Sequence, residues 1–245
     1  MSESDEGRRG AVVFGARNLG RAIIEELLEA GWAVTGAARS EETLARVRAA
    51  GAVAVRADVT DIQSVRDTLA QAAAAHGAVE LAVNAAAAYG GTRTGPFGGG
   101  PITDAPPEAF DAWAAAPARA AFSFLRASGR FALEQGRPAT LIQVTGGSAR
   151  RAMEGRGLWA AGAFAVRAIT NAAALELRPQ GVQVALLIVD AGIEPLSAPP
   201  PAGIARDALA DPREIAAAVR FLAEQGPRAA THELTLTPLA ERWVP

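Results

Sequence analysis

The chain has 245 residues, half of them hydrophobic and a fifth charged, with a formal charge of −2. That length suits one α/β domain with a large core, and the near-neutral balance argues against a nucleic-acid surface, which needs a clustered basic field. Cysteine is absent, which excludes disulfides, thiolate catalysis and cysteine metal sites; His76 and His232 stand far apart, with no carboxylate spacing that suggests a metal.

Short apolar runs alternate with helical patterns along the chain. Ala11–Gly15 reads as a buried strand and Asn18–Gly31 as a helix with Ile23, Ile24, Leu27 and Leu28 on one face. Ala33–Arg39 is a second strand and Ser40–Gly51 a helix, with Ser40 as N-cap and acidic residues in its first turn. Ala52–Val59, Thr60–Gly77 and Val79–Ala86 continue the pattern as strand, helix and strand. A Gly-, Pro- and Thr-rich loop over 89–107 is expected to be mobile. A long helix follows from about Glu108 to Gln135, irregular near Pro117, whose ring cannot continue an α-helical ladder. Then come strand Thr140–Gly146, helix Arg156–Leu177, strand Val182–Asp190, helix Pro212–Gln225 and strand His232–Pro238. Strict alternation implies parallel strands joined by right-handed crossovers. The expected fold is therefore three-layer, doubly wound α/β, with about seven parallel strands and helices on both faces.

The N-terminal residues, 1–9, read as a flexible segment without a signal-peptide core, and no apolar run reaches the roughly 18 residues of a membrane span. A cytoplasmic protein acting on a small molecule, with no nucleic-acid or membrane partner, is the expectation. Arg8, Arg9, Arg150 and Arg151 read as solvated loop ends.

The first strand-to-helix turn, "FGARNLGR" (Phe14–Arg21), offers helix N-terminal N–H groups to a pyrophosphate. Gly15 permits the tight turn and Gly20 a close helix–strand approach, although the middle glycine of GxGxxG is missing. The second strand ends in Arg39 rather than in an acid that would accept from an adenine ribose, so Arg39 and Arg17 suit a 2′-phosphate. Asp58 can reach an adenine or form a helix N-cap; Asn84, followed by Ala85 and Ala86, can admit a ribose or close a strand-end turn.

In this order the motifs resemble those of the short-chain dehydrogenase/reductase superfamily over nearly the whole chain. "FGARNLG" is similar to its TGxxxGxG, Asp58-Val59 to its adenine-site Asp-Val, and "NAAA" (Asn84–Ala87) to its NNAG. The stretch "VQVALLIVDAGI" resembles an atypical branch with Phe in place of the catalytic Tyr. The resemblance implies a Rossmann-type fold, NADP(H) as cofactor, no metal and a homodimer or homotetramer. The implied cofactor contacts are Gly15, Arg17, Asn18, Leu19, Gly20, Arg39, Asp58, Val59, Asn84, Ala85, Ala86, Gly192 and Ile193.

The family's catalytic Asn, Ser, Tyr and Lys fall on Pro117, Gly146, Trp159 and Ala163, none of which handles protons. Register error cannot restore the pair, because the chain has no lysine and one tyrosine, Tyr89, in the loop after the fourth strand. Thr145, Ser148 and Asp190 are the substitutes that lie near the expected mouth, with Glu154 and Glu194 as further acids. Three functions fit the sequence: an atypical NADP(H)-dependent oxidoreductase, a non-catalytic protein binding NADP(H) or a metabolite, and a lyase or isomerase on the same fold.

Overall fold

A computed structural model describes residues 8–87 and 95–241. In chain order the elements are β1 (Gly10–Phe14), α1 (Leu19–Glu29), β2 (Ala33–Ala38), α2 (Glu41–Ala49), β3 (Val53–Arg56), α3 (Ile62–His76) and β4 (Leu81–Asn84). They continue with α4 (Pro107–Phe110), α5 (Ala116–Gln135), β5 (Ala139–Gly146), α6 (Gly157–Leu177), β6 (Val182–Val189), β7 (Gly192–Ile193), β8 (Leu209–Ala210), α7 (Pro212–Ala223) and β9 (Glu233–Leu236). Seven strands form one parallel sheet in the order β3-β2-β1-β4-β5-β6-β9.

The sheet is apolar on both faces because both are covered, and strand alternation divides the core in two. Ala11 and Val13 of β1 pack with α1, α2 and α7, among them Ile23, Leu27, Val47, Ile215 and Val219. Val12 and Phe14 pack to the other side with Val65 and Leu69 of α3, Phe124 of α5 and Ala174 of α6. Ser40 caps α2 by accepting from the Thr43 N–H at 3.4 Å.

Four features depart from the sequence reading. The helix expected from Glu108 is interrupted by a π-helical turn, Asp111–Ala115, closed by Ala116 N–H donating to the Asp111 carbonyl. Pro117 stands in the first turn of α5 and has no N–H for a carbonyl four residues back, so the irregularity sits just N-terminal to it. Gly192–Ile193 and Leu209–Ala210 form a second, two-stranded parallel sheet, too short to read in advance. Arg9, Arg150 and Arg151 are not free loop ends. Arg9 pairs with Glu80 at 2.9 Å and stacks over Trp32, while Arg150 pairs with Glu233 at 2.9 Å and Arg151 with Asp190 at 3.4 Å.

The fourth departure is β3, which ends at Arg56 instead of Val59. Helix α6, whose apolar run is broken by Gly162 and Arg167, is still apolar enough to cross a membrane by length and composition alone. Here it packs against α5, β5 and β6, and its Arg167 is paired with Glu233 at 2.8 Å.

Candidate nucleotide site and an aromatic cluster

Strand order reverses between β1 and β4, so a crevice opens beyond the carboxyl ends of those strands. The turn after β1 is drawn tightly into it. Gly15 has φ +84°, and its N–H donates to the Ala37 carbonyl at 2.9 Å; a side chain there would come within 2.5 Å of the Ala86 backbone. A Cβ on Gly20 would overlap the Gly15 carbonyl oxygen. Both glycines are thus fixed by close approach, and Leu19 opens α1 as a buried residue. Ala85 and Ala86 keep the β4 end small, while buried Asn84 holds it in place. Its amide donates to Gln143 Oε1 at 2.9 Å and its oxygen accepts from Ala86 N–H at 3.2 Å.

On the β2 side Arg39 is largely exposed, with Nη1 3.9 Å from Asp58 Oδ2. Glu41, the other nearby acid, is already engaged by Arg48 and Arg56. The Arg48 hydrogen bond is the main cause holding the Glu41 carboxyl below its usual range. Asp58 is not a helix cap: Oδ1 accepts from Thr60 N–H at 3.0 Å and Thr60 Oγ1 at 2.8 Å, and Asp61 caps α3 instead. Val59 beside it is buried, and Arg17 is exposed on the turn. An exposed guanidinium, a crowded glycine turn and a small β4 end thus lie together at the carboxyl ends of β1, β2 and β4.

Asn18, expected among the cofactor contacts, is bonded here to the segment after β6, which the sequence does not reveal. Its Nδ2–H donates to the Glu194 carbonyl at 3.0 Å and its Oδ1 accepts from Leu196 N–H at 2.9 Å. Arg21 adds a bond to Ser197 Oγ at 3.1 Å. Gly192 and Ile193, in β7, sit at the root of this segment, paired with Leu209 and Ala210. The Glu194 carboxylate is taken by Arg206 at 2.7 Å. Outside the segment lies a cavity of about 380 Å³, bordered by Leu196, Pro200, Arg206, Pro212 and Arg213.

Around Trp159 three aromatic rings pack together, edge-on or tilted. The Trp159 ring centroid is 4.6 Å from that of Phe97 and 5.7 Å from that of Trp113, and Phe97 and Trp113 are 5.0 Å apart. Arg156 covers the far side of Phe97, at 5.3 Å. Trp159 Cζ2 would be 3.6 Å from a Cβ at Gly146, so the indole lies over the serine position that the resemblance assigns. Ala163, one turn along α6, is buried, and Pro117 is half-buried at the start of α5. The described part of the 89–107 loop thus packs into the site through Phe97; residues 88–94, with Tyr89, lie outside the described residues. Phe97 and Trp113 were missed as site residues. Their only signal was an aromatic alone in "GPFGGG" and a tryptophan just before the proline.

Of the substitute groups, Thr145 is half-buried near the end of β5 and Ser148 is buried in a 3₁₀ turn, Gly147–Ala149. Glu154 is exposed. Asp190 is buried at the end of β6 and pressed against Gly147, where any Cβ would overlap its carboxylate. Its Oδ2 makes no hydrogen bond and lies 3.4 Å from Arg151 Nη2. Among the described residues no three His, Asp or Glu side chains converge as metal ligands.

No curated protein matches the chain. Solved structures share its fold over almost its whole length. An alcohol dehydrogenase from the archaeon Thermococcus sibiricus, complexed with 5-hydroxy-NADP, is 22% identical at a TM-score of 0.77, covering 97% of this chain and 99% of its own. A 3-ketoacyl-(acyl-carrier-protein) reductase from Brucella melitensis, complexed with NADH, is 22% identical at 0.79, covering 96% and 98%. A metagenomic short-chain oxidoreductase in complex with NADP is 25% identical at 0.72, covering 98% and 100%. Residues 9–192 match the family model described as short chain dehydrogenase, and with three quarters of its length so matched, the chain belongs to that family.

Proposed function

We propose that this chain is an NADP(H)-binding member of the short-chain dehydrogenase family that does not turn over ordinary carbonyl substrates. The observation that carries the reading is the Phe97–Trp113–Trp159 cluster at the place of the catalytic tyrosine, in a chain without lysine. Arg39 and Arg17 would hold the 2′-phosphate, Asp58 and Val59 the adenine, and Asn84 to Ala86 the adjoining ribose. The Gly15–Gly20 turn would meet the pyrophosphate with backbone N–H groups and the positive end of α1. Bound, the nicotinamide would supply a hydride donor or acceptor. Relatives of the same fold complexed with NADP or NADH support the assignment.

What Trp159 and Ala163 cannot supply is the proton. Trp159 has an indole N–H that donates but does not titrate usefully, and Ala163 has nothing to lower a neighbour's pKa or hold a ribose. General acid–base help is worth about 10²–10⁴-fold, so its loss leaves carbonyl reduction slow. A second reading rests on Asp190, a buried carboxylate at the end of β6 with one oxygen outside any hydrogen bond. In that reading it is the acid–base group for a redox or non-redox reaction on a substrate that reaches the end of β6.

The test is a titration of the protein with NADPH, followed by intrinsic tryptophan fluorescence, and then by NADPH oxidation with simple ketones, aldehydes and quinones. Saturable binding without turnover is expected. Turnover at tens per second by the unmodified chain overturns the reading, and Asp190→Asn then identifies the proton source.

A further inference from the structure

The segment after β6 crosses the mouth of the crevice. It leaves the sheet at Val189, and in the strand order β1-β4-β5-β6 its starting point lies three strand spacings, about 14 Å, from β1. Yet Glu194 and Leu196 are both bonded to Asn18, in the turn that follows β1. Residues 190–196 therefore run past the ends of β5 and β4 as a strap whose far end is fastened to the glycine turn.

The fastening is made by one side chain. Asn18 immediately precedes α1 but makes no side-chain cap to the helix; both ends of its amide are turned to the strap. The Arg21–Ser197 bond is a second and more exposed tie. At its root the strap is secured separately, by the β7–β8 pairing, by Glu194 N–H donating to the Ala210 carbonyl at 3.0 Å, and by the Glu194–Arg206 ion pair. Beyond the root, Leu196 borders the 380 Å³ cavity and is half-buried against the core. The strap thus has a paired root at Gly192–Glu194 and, at Leu196, a tip held to the glycine turn by the Asn18 amide.

We propose that Asn18 is the latch on the nucleotide crevice: NADP(H) enters when Asn18 releases the strap. This rests on the NADP(H) reading above. A pyrophosphate seated on the first turn of α1 must lie where that turn faces the strap, so the amide that closes the gap stands in its path. A glycine at 18 would leave the turn untied. The side chain thus sets the rate of nucleotide association, and it is a positioning residue with no part in proton transfer.

The experiment compares wild type, Asn18→Ala and the double variant Arg21→Ala with Ser197→Ala. Hydrogen exchange of the Leu196 amide, the one strap N–H that Asn18 accepts, is measured without nucleotide, and NADPH association by stopped-flow tryptophan fluorescence. Two neutral hydrogen bonds, each a factor of about 2 to 10, put the expected rise in both rates for Asn18→Ala at about 4- to 100-fold. The double variant, which leaves the turn intact, should shift both in the same direction by less, and it decides the question should Asn18→Ala fail to fold. Unchanged exchange, or association that is unchanged or slower, overturns the latch. Faster exchange with no NADPH binding to any form overturns the cofactor assignment, leaving Asn18 as a tie on the strap but not as a gate for nucleotide.

Discussion

Gly147→Ala tests how the end of β5 is built against the end of β6. Gly147 does not have a positive φ, so the backbone tolerates alanine and the cost is steric. The added Cβ would overlap the Asp190 carboxylate, which is buried and hemmed in beside Arg151. Forcing one extra methyl into packed surroundings costs about 1–3 kcal/mol. Pushing the carboxylate away from Arg151 adds about 1 kcal/mol, a figure kept low because the Arg151 side chain is a quarter exposed. A total of about 3 kcal/mol corresponds to a Tm lower by about 6–12 °C for a chain of this size. The decisive assay is a double-mutant cycle by urea unfolding. With Asp190→Ala in place the methyl has room, and Gly147→Ala should cost less than about 1 kcal/mol, a coupling of about 2 kcal/mol. A cost that agrees in the two backgrounds to within about 0.5 kcal/mol is additive, and would refute the claim that Asp190 is why residue 147 is glycine.

Calorimetry should find NADPH preferred over NADH by wild type, and Arg39→Ala should weaken NADPH by about tenfold while sparing NADH; equal affinities, unmoved by the substitution, would rule out Arg39 as the 2′-phosphate ligand. Phe122 and Leu133 of α5 and Phe164 and Leu175 of α6 are exposed, an apolar load that a monomer carries poorly, so light scattering at micromolar concentration should give a dimer or tetramer. Phe122→Glu with Phe164→Glu should shift that mass toward monomer, and a monomeric wild type would defeat the prediction.

The sheet was legible because strands buried on both faces read as unbroken apolar runs, as in β1 and β6, while α1 and α7 announced themselves by a single apolar face. Strand β3 was read as longer than it is: as an edge strand it has one partner, and its pairing stops at Arg56 although the apolar pattern runs on to Val59. The absence of lysine was legible for a simpler reason, since a missing residue type needs no fold to be noticed. The aromatic cluster was not. Phe97, Trp113 and Trp159 come from a loop, a π turn and a helix, and only tertiary packing brings them together. The ion pairs of Arg150 and Arg167 with Glu233 escaped in the same way, the partners lying 83 and 66 residues apart. Asn18 was read from its place in the turn alone, and nothing local in "FGARNLG" reveals a partner 176 residues away.

The π turn at Asp111–Ala115 makes the shape of the site depend on chain length as well as on residue identity. Closing that turn takes one residue more than an α-helical turn, with Ala116 reaching back five positions to Asp111. Loss of a single residue there would restore α-helical winding and rotate what precedes it relative to α5 by about 100°. Trp113 lies inside the turn, so it would be carried off Phe97 and Trp159 with every aromatic residue still present. A codon deleted between Phe110 and Pro117 would therefore dismantle the aromatic cluster as surely as replacing a tryptophan, and related chains are best compared by spacing in this interval before their side chains are matched.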